Sequence, residues 1–222
     1  MNLASRLNQI KESLPEKVRL VAVSKFKEVS VIQEAYDAGQ RIFGESRVQE
    51  LVSKQEQLPK DIEWHFIGHL QANKVKYIAP FIDLIHSADS LKLLNELNRQ
   101  AGNCNRKLKI LLQIHIAQEE HKFGFTPKEL QHLLDDKLHE NLAHLKIAGL
   151  MGMATFTDNE EQIRKEFSEL SSLFRQVKKE YFLENEDFKE LSMGMSDDYP
   201  IAIGEGSTLV RIGSKIFGER SY

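Results

Sequence analysis

Lys25 closes the apolar run Leu20-Val21-Ala22-Val23-Ser24. A lysine at the end of a buried strand is partly desolvated, which lowers its pKa and frees the amine to form a Schiff base. Taken by itself, a lysine that extends into solvent is the plainer reading. A second group of residues changes that balance. Gly213-Ser214 follows Leu209-Val210-Arg211-Ile212 and leads into a short helical turn at Lys215-Ile216-Phe217. Glycine lets backbone approach a ligand closely, and unpaired N–H groups at a helix start attract phosphate. Ser196, in Gly194-Met195-Ser196-Asp197-Asp198, either adds a hydroxyl donor to such a site or caps a helix beginning near Asp197. Both roles can hold at once. Arg211 lies two residues before Gly213 and so on the same side of its strand. An inward arginine is costly unless it pairs, and a carboxylate or a cofactor ring nitrogen would serve. A core ion pair and an outward-facing arginine are the alternatives.

The histidines point to less. His65 and His69 are four apart in Trp64-His65-Phe66-Ile67-Gly68-His69. A zinc pair at that spacing needs a helix, whereas this segment reads as strand then loop. There is no His-Glu-x-x-His motif, so no metal site is expected. His86 and His115 read as satisfied core or rim histidines.

The elements that must position these groups alternate along the chain. Apolar runs at 19–24, 41–44, 63–68, 83–88, 108–116, 146–151, 190–195 and 209–214 read as strands. Helical spacing of apolar residues marks 29–38, 91–100 and 163–182. Thr126-Pro127-Lys128-Glu129 carries a cap, a first-turn proline and an early acid, which open a helix. The pattern predicts an α/β fold, a (β/α)8 TIM-like barrel forming one domain over residues 1–222, with an extra N-terminal helix at 2–13. An open doubly wound sheet is the alternative. It is disfavoured because no Gly-x-Gly-x-x-Gly turn follows the first strand. Barrel sites form at the C-terminal ends of strands, and that is where Lys25, Ser196 and Gly213 fall.

Composition narrows the partners. The chain has 222 residues, 41% hydrophobic and 28% charged, with a net charge of −3. No global field draws it to nucleic acid or to an anionic membrane. Lys178-Lys179 sits among acids and reads as a solvated helix face. Cys104 is the only cysteine, so no intramolecular disulfide or cysteine metal cage can form. No signal-peptide core opens the chain and no apolar run spans a bilayer, so a cytoplasmic location is expected.

Five stretches together resemble the pyridoxal phosphate homeostasis protein family, which has the barrel of the alanine racemase N-terminal domain. They are Leu20-Val21-Ala22-Val23-Ser24-Lys25, Phe43-Gly44-Glu45, Trp64 through Lys74, Gly149-Leu150-Met151-Gly152-Met153, and Leu191 through Asp198 with Ile201 through Arg220. The resemblance covers essentially the whole chain. It implies that Lys25 binds pyridoxal phosphate as a Schiff base. It also implies that Ser196 and the backbone at Gly213-Ser214 hold the phosphate, and that Arg211 faces the pyridine nitrogen. An arginine does not readily give up its proton, so the ring nitrogen stays unprotonated and the ring is a poorer electron sink. Two positions depart from the family pattern. Ser46 stands where an asparagine is usual, in Gly44-Glu45-Ser46-Arg47. Lys122, before Phe123-Gly124, is a second lysine that either approaches the cofactor or sits in a solvated loop.

The function implied is a carrier that buffers pyridoxal phosphate for vitamin B6 and amino-acid homeostasis, without conventional catalysis. Apo-enzymes that depend on the cofactor are the expected recipients, and a monomer is the expected state. Tyr222 follows shortly after the last strand, so the second, β-rich domain that completes a racemase site is not expected. The alternatives are a small amino-acid racemase using Lys25 and Lys122, a Schiff-base aldolase with a sugar phosphate in the anion site, and a regulator that docks on cofactor-dependent enzymes. Lys27, two positions on in a short loop, is a further candidate for the attachment point and otherwise a solvated residue.

Overall fold

The short apolar runs bury themselves by pairing in register with one another and by receiving helices on their outer face. In the computed structural model, which describes residues 2–119 and 123–218, eight parallel strands close into a barrel in sequence order. They are β1 (Arg19–Val23), β2 (Ile42–Glu45), β3 (Glu63–Phe66), β4 (Leu84–Ala88), β5 (Leu108–Gln113), β6 (Leu145–Met151), β7 (Glu190–Ser192) and β8 (Leu209–Ile212). Closure comes from β1 pairing with β8, Val21 opposite Arg211.

The helices are α1 (Leu3–Ser13), α2 (Val29–Asp37), α3 (Val48–Gln57), α4 (Val75–Ile78), α5 (Leu91–Asn103), α6 (Pro127–Asp135), α7 (Glu160–Tyr181), α8 (Tyr199–Gly204) and α9 (Ser214–Phe217). The Thr126 signal produces a full capping box: its side chain accepts from Glu129 N–H while the Glu129 carboxylate accepts from Thr126 N–H. α7 starts on Asn159, whose side chain accepts from Glu161 and Gln162 N–H, and ends with Lys178 and Lys179 in its last turn. Those lysines therefore complement the helix dipole. The N-terminal helix α1 is anchored to α9 by Arg6 Nε donating to Ile216 O at 2.7 Å.

Two apolar clusters follow from strand alternation. On β1, Leu20 and Ala22 face the helices while Val21 faces the barrel interior; on β8, Val210 and Ile212 face out and Leu209 faces in. Burial of the α5 stripe Leu93, Leu94 and Leu97 contributes at most about 1.5–3 kcal/mol per side chain. Where strands stop differs from the apolar pattern. β5 ends at Gln113 rather than 116, although Ile114 still makes an isolated bridge to Phe125. β7 ends at Ser192 because Gly194, at φ +91°, turns the chain, and a Cβ there would sit 2.6 Å from the Ala202 Cβ.

Candidate functional site at the C-terminal mouth of the barrel

All eight strands present their C-terminal ends on one face, so the residues just after them meet. A cavity of about 300 Å³ opens there, at the small end of ligand sites. Lys25, Ser196, Arg211, Gly213 and Ser214 all line it, joined by Lys27 and Ser46. Residues from β1, β7 and β8 and their following loops thus converge, as the strand-end positions predict.

Each group is fixed differently. Lys25 is half-buried in the turn after β1. The next residue, Phe26, holds a left-handed backbone at φ +64°, rare for an aromatic residue. Its N–H donates to Glu50 Oε1 at 2.6 Å, and its ring lies under the Arg47 guanidinium at 4.6 Å. Lys27 Nζ donates to Phe217 O at 3.2 Å, so this lysine ties the β1 turn to the end of α9. Ser196 is buried and its Oγ accepts from Gly213 N–H at 3.3 Å. Helix α8 begins at Tyr199 rather than near Asp197, and Asp198 rather than Ser196 is its N-cap residue. The Asp198 carboxylate instead accepts from Met195 N–H at 2.5 Å, which shapes the loop carrying Ser196. Gly213 precedes Ser214 at the start of α9, and a Cβ on it would lie 3.2 Å from both Val23 Cβ and Val23 O.

Arg211 points inward and is buried. Its guanidinium donates to Ser192 Oγ at 2.6 Å and to Gly152 O at 3.1 Å. Burial pulls its pKa down to about 10, with the charge of Asp198 acting in the opposite direction. No carboxylate among the described residues makes an ion pair with it.

Three features escape sequence reasoning. Behind the β1 turn, Lys54 of α3 is buried and donates to Glu45 Oε1, Glu50 Oε1 and Ser24 O at 2.8, 2.5 and 2.8 Å. The Ser24 hydroxyl also donates to Glu45 Oε1 at 2.6 Å. Burial pushes the Glu45 carboxyl above the usual carboxylate range, against the pull of Lys54 and Ser24. Inside the barrel, His65, His86 and Ser192 form a hydrogen-bonded line to Arg211. At the opposite, N-terminal mouth a charged cavity of about 450 Å³ is lined by His65, Arg19, Glu63, Lys109 and Glu190, among others.

His65 and His69 do not converge: His65 is interior, whereas His69 stacks on Phe123 and meets Asp89 at 3.0 Å. His115 Nε2 lies 3.0 Å from Glu119 O. Lys122 lies outside the described residues. Among the described residues no cluster of three or more His, Cys, Asp or Glu is placed to hold a metal, and no helix is long and apolar enough to cross a membrane.

The alanine racemase N-terminal domain family matches residues 1–221. The pyridoxal phosphate homeostasis protein of Haemophilus influenzae is 41% identical over 235 residues, spanning 100% of this chain and 98% of that protein. The chain belongs to the pyridoxal phosphate homeostasis protein family. PipY of Synechococcus elongatus PCC7942, 37% identical, superposes with a TM-score of 0.92 without PLP and 0.88 with PLP bound; both comparisons cover 98% of this chain and 100% of PipY. The alanine racemase of Clostridium difficile 630 shares the fold alone, with 14% identity and a TM-score of 0.77 over 57% of its length. Within the homeostasis family fold, the converging lysine, arginine, serine and glycine sit where the barrel opens.

Proposed function

We propose that this chain binds pyridoxal phosphate in the C-terminal cavity and holds it as a carrier rather than turning over a substrate. The observation that carries the reading is the convergence of Lys25, Ser196, Arg211, Gly213 and Ser214 on one cavity. The donor set fits the cofactor. The Lys25 amine would meet the aldehyde, the Ser196 hydroxyl and the Ser214 N–H at the start of α9 would hold the phosphate, and the buried Arg211 would take the ring nitrogen. A side chain at Gly213 would press on Val23, which also lines the cavity.

Bound pyridoxal phosphate supplies an aldehyde carbon for an amine and a ring that withdraws electrons. Lys25 would supply that amine. Ser196 Oγ accepts from Gly213 N–H, so Gly213 holds in place the hydroxyl that would donate to the phosphate end. Arg211, which keeps its protons, would meet the ring nitrogen and so limit electron withdrawal, favouring holding over catalysis. Proton handling by the described lining falls to Lys25, Lys27 and Asp197, and Lys27 is already engaged with Phe217 O. This chain's relationship to proteins named for pyridoxal phosphate homeostasis, and PipY with PLP bound, support the reading. We read the recipients as apo-enzymes that use the cofactor, and the carrier as a monomeric, one-domain, cytoplasmic protein.

The test is the absorbance of wild type and Lys25→Ala after addition of pyridoxal phosphate. Wild type is expected to give the visible band of a lysine-bound cofactor and Lys25→Ala to lose it. An identical band in the variant moves the attachment to Lys27 or Lys122. Racemisation of amino acids by the purified protein at on the order of 10 per second would overturn the carrier role.

A further inference from the structure

The interior of a β/α barrel is usually filled by branched apolar side chains. Here one side of it holds a continuous polar line. Arg211 NH1 lies 2.6 Å from Ser192 Oγ, Ser192 Oγ lies 2.9 Å from His86 Nδ1, and His86 Nε2 lies 3.0 Å from His65 Nδ1. All four residues are buried, and the line runs from the C-terminal cavity to the charged N-terminal mouth, which both Arg211 and His65 border on their respective sides.

The chemistry of the first member dictates the direction of the rest. Arginine only donates, so Ser192 Oγ accepts from it. The single serine proton is then available for His86, which makes His86 Nδ1 an acceptor. A neutral imidazole with a bare Nδ1 carries its proton on Nε2, so His86 donates to His65 Nδ1. His65 in turn carries its proton on Nε2 and presents it toward the N-terminal mouth. The reverse order would make Ser192 accept twice and leave its own proton without an acceptor among its described partners, a costly state for a buried hydroxyl.

We propose that Ser192, His86 and His65 are positioning residues that form a one-way hydrogen-bond relay, locking both histidines as neutral Nε2–H tautomers and holding the Arg211 guanidinium in the cavity. The charges around the pair favour this state. Arg19 and Lys109 face His65, while Arg211 and Arg19 face His86, so every cation nearby opposes protonation. Glu63 and Glu190 of the same mouth are both engaged with Arg19, at 3.8 and 2.8 Å. The consequence for the ligand rests on the cofactor reading above: the relay delivers neutral acceptors to Arg211, so its charge is fixed in place without being cancelled.

The relay is testable on the full chain with no ligand added. Long-range nitrogen-15 NMR of the imidazoles is expected to show protonated Nε2 and bare Nδ1 at both histidines, with no titration between about pH 5 and 8. An Nδ1–H tautomer at His86, or either ring titrating near pH 6.5, would overturn the relay. Ser192→Ala is expected to shift the His86 Nδ1 signal, and Ser192→Thr, which keeps the hydroxyl, to restore it; an unchanged signal in Ser192→Ala also overturns it. Pyridoxal phosphate titration separates the two claims. Ser192→Ala is expected to bind about tenfold more weakly than wild type, with Ser192→Thr recovering most of the loss. Equal affinity in all three proteins removes the positioning role. Failure of wild type to bind the cofactor would sink the functional reading while leaving the NMR result to decide the relay.

Discussion

Two cations are buried on opposite sides of the β1 strand end, and they are held in opposite ways. Lys54 meets two carboxylates and a carbonyl, which uses all three of its ammonium protons. Arg211 meets a hydroxyl and a carbonyl, both neutral, and uses two of the five N–H groups an arginine carries. The first arrangement is complete without a ligand. Its partners are Ser24 O and Glu50, and Glu50 also accepts from Phe26 N–H, so Lys54 fixes the backbone on both sides of Lys25. The second arrangement keeps an uncancelled charge at a cavity wall. A buried cation whose charge is matched by ion pairs is a brace, and one held only by neutral partners suits the binding role proposed for Arg211.

The largest effect is expected from removing the brace. Lys54→Met strands the Glu45 carboxylate in a site where burial already raises its pKa. Urea unfolding should show a loss of about 3–5 kcal/mol. The double variant Lys54→Met/Glu45→Gln should recover most of that, because no charge is then orphaned. Arg211→Met gives the contrast. It removes a charge that makes no ion pair with a carboxylate among the described residues, so its stability change should stay under about 1.5 kcal/mol while pyridoxal phosphate binding is expected to collapse. If Arg211→Met destabilises as much as Lys54→Met, the distinction between brace and binding group fails.

Acid should expose the interior relay next. Burial lowers the His65 pKa to about 3, and burial likewise puts His86 well below the ordinary histidine value. In the unfolded chain both titrate near the ordinary 6.5. Between those values the unfolded state takes up protons that the folded state refuses, so stability falls as pH falls through 6.5. The slope should approach about 1.4 kcal/mol per pH unit for each histidine. Denaturant midpoints measured from pH 7 to 5 in wild type and His65→Gln should differ by close to one proton. Glu45 works with the opposite sign, since its raised pKa makes the folded state the better proton acceptor in its window.

The barrel was legible because β-branched runs recur with helical stripes between them, and eight such runs leave few architectures. Boundaries were less so. Apolar residues continue past the last paired position in 114–116 and 193–195, where they line loops instead of the ladder. Helix α3 gave little signal because Val48–Gln57 is mostly polar and buries only Val48, Leu51 and Lys54. The five candidate site residues could be picked out because each lies near the C-terminal end of a strand or in the loop just after it. The brace and the relay could not, since their chemistry depends on pairing across strands. His65 sits opposite Leu84 in the ladder. Only that register, with two-residue alternation, brings His86 to its side. Glu50, four residues before Lys54, is a readable helical pair, but nothing in the helix marks that Lys54 also reaches Glu45 and Ser24 O.

The smallest effect concerns the residue between the brace and the cavity. Phe26 pays for its left-handed backbone with roughly 1 kcal/mol, and it is 49% exposed, so burial offsets little of it. What keeps it there is Glu50 on its N–H and Arg47 over its ring. Phe26→Gly removes the backbone strain and also the cation–π contact, each worth at most about 1 kcal/mol. Thermal unfolding should therefore move little. Attachment of pyridoxal phosphate at Lys25 is the more sensitive readout, because glycine widens the range of turn conformations that the Lys25 side chain inherits. A slower appearance of the lysine-bound absorbance band at unchanged stability is the expected result. An unchanged rate would mean that the Lys54 brace alone sets the direction of Lys25, and that the strained turn is incidental to it.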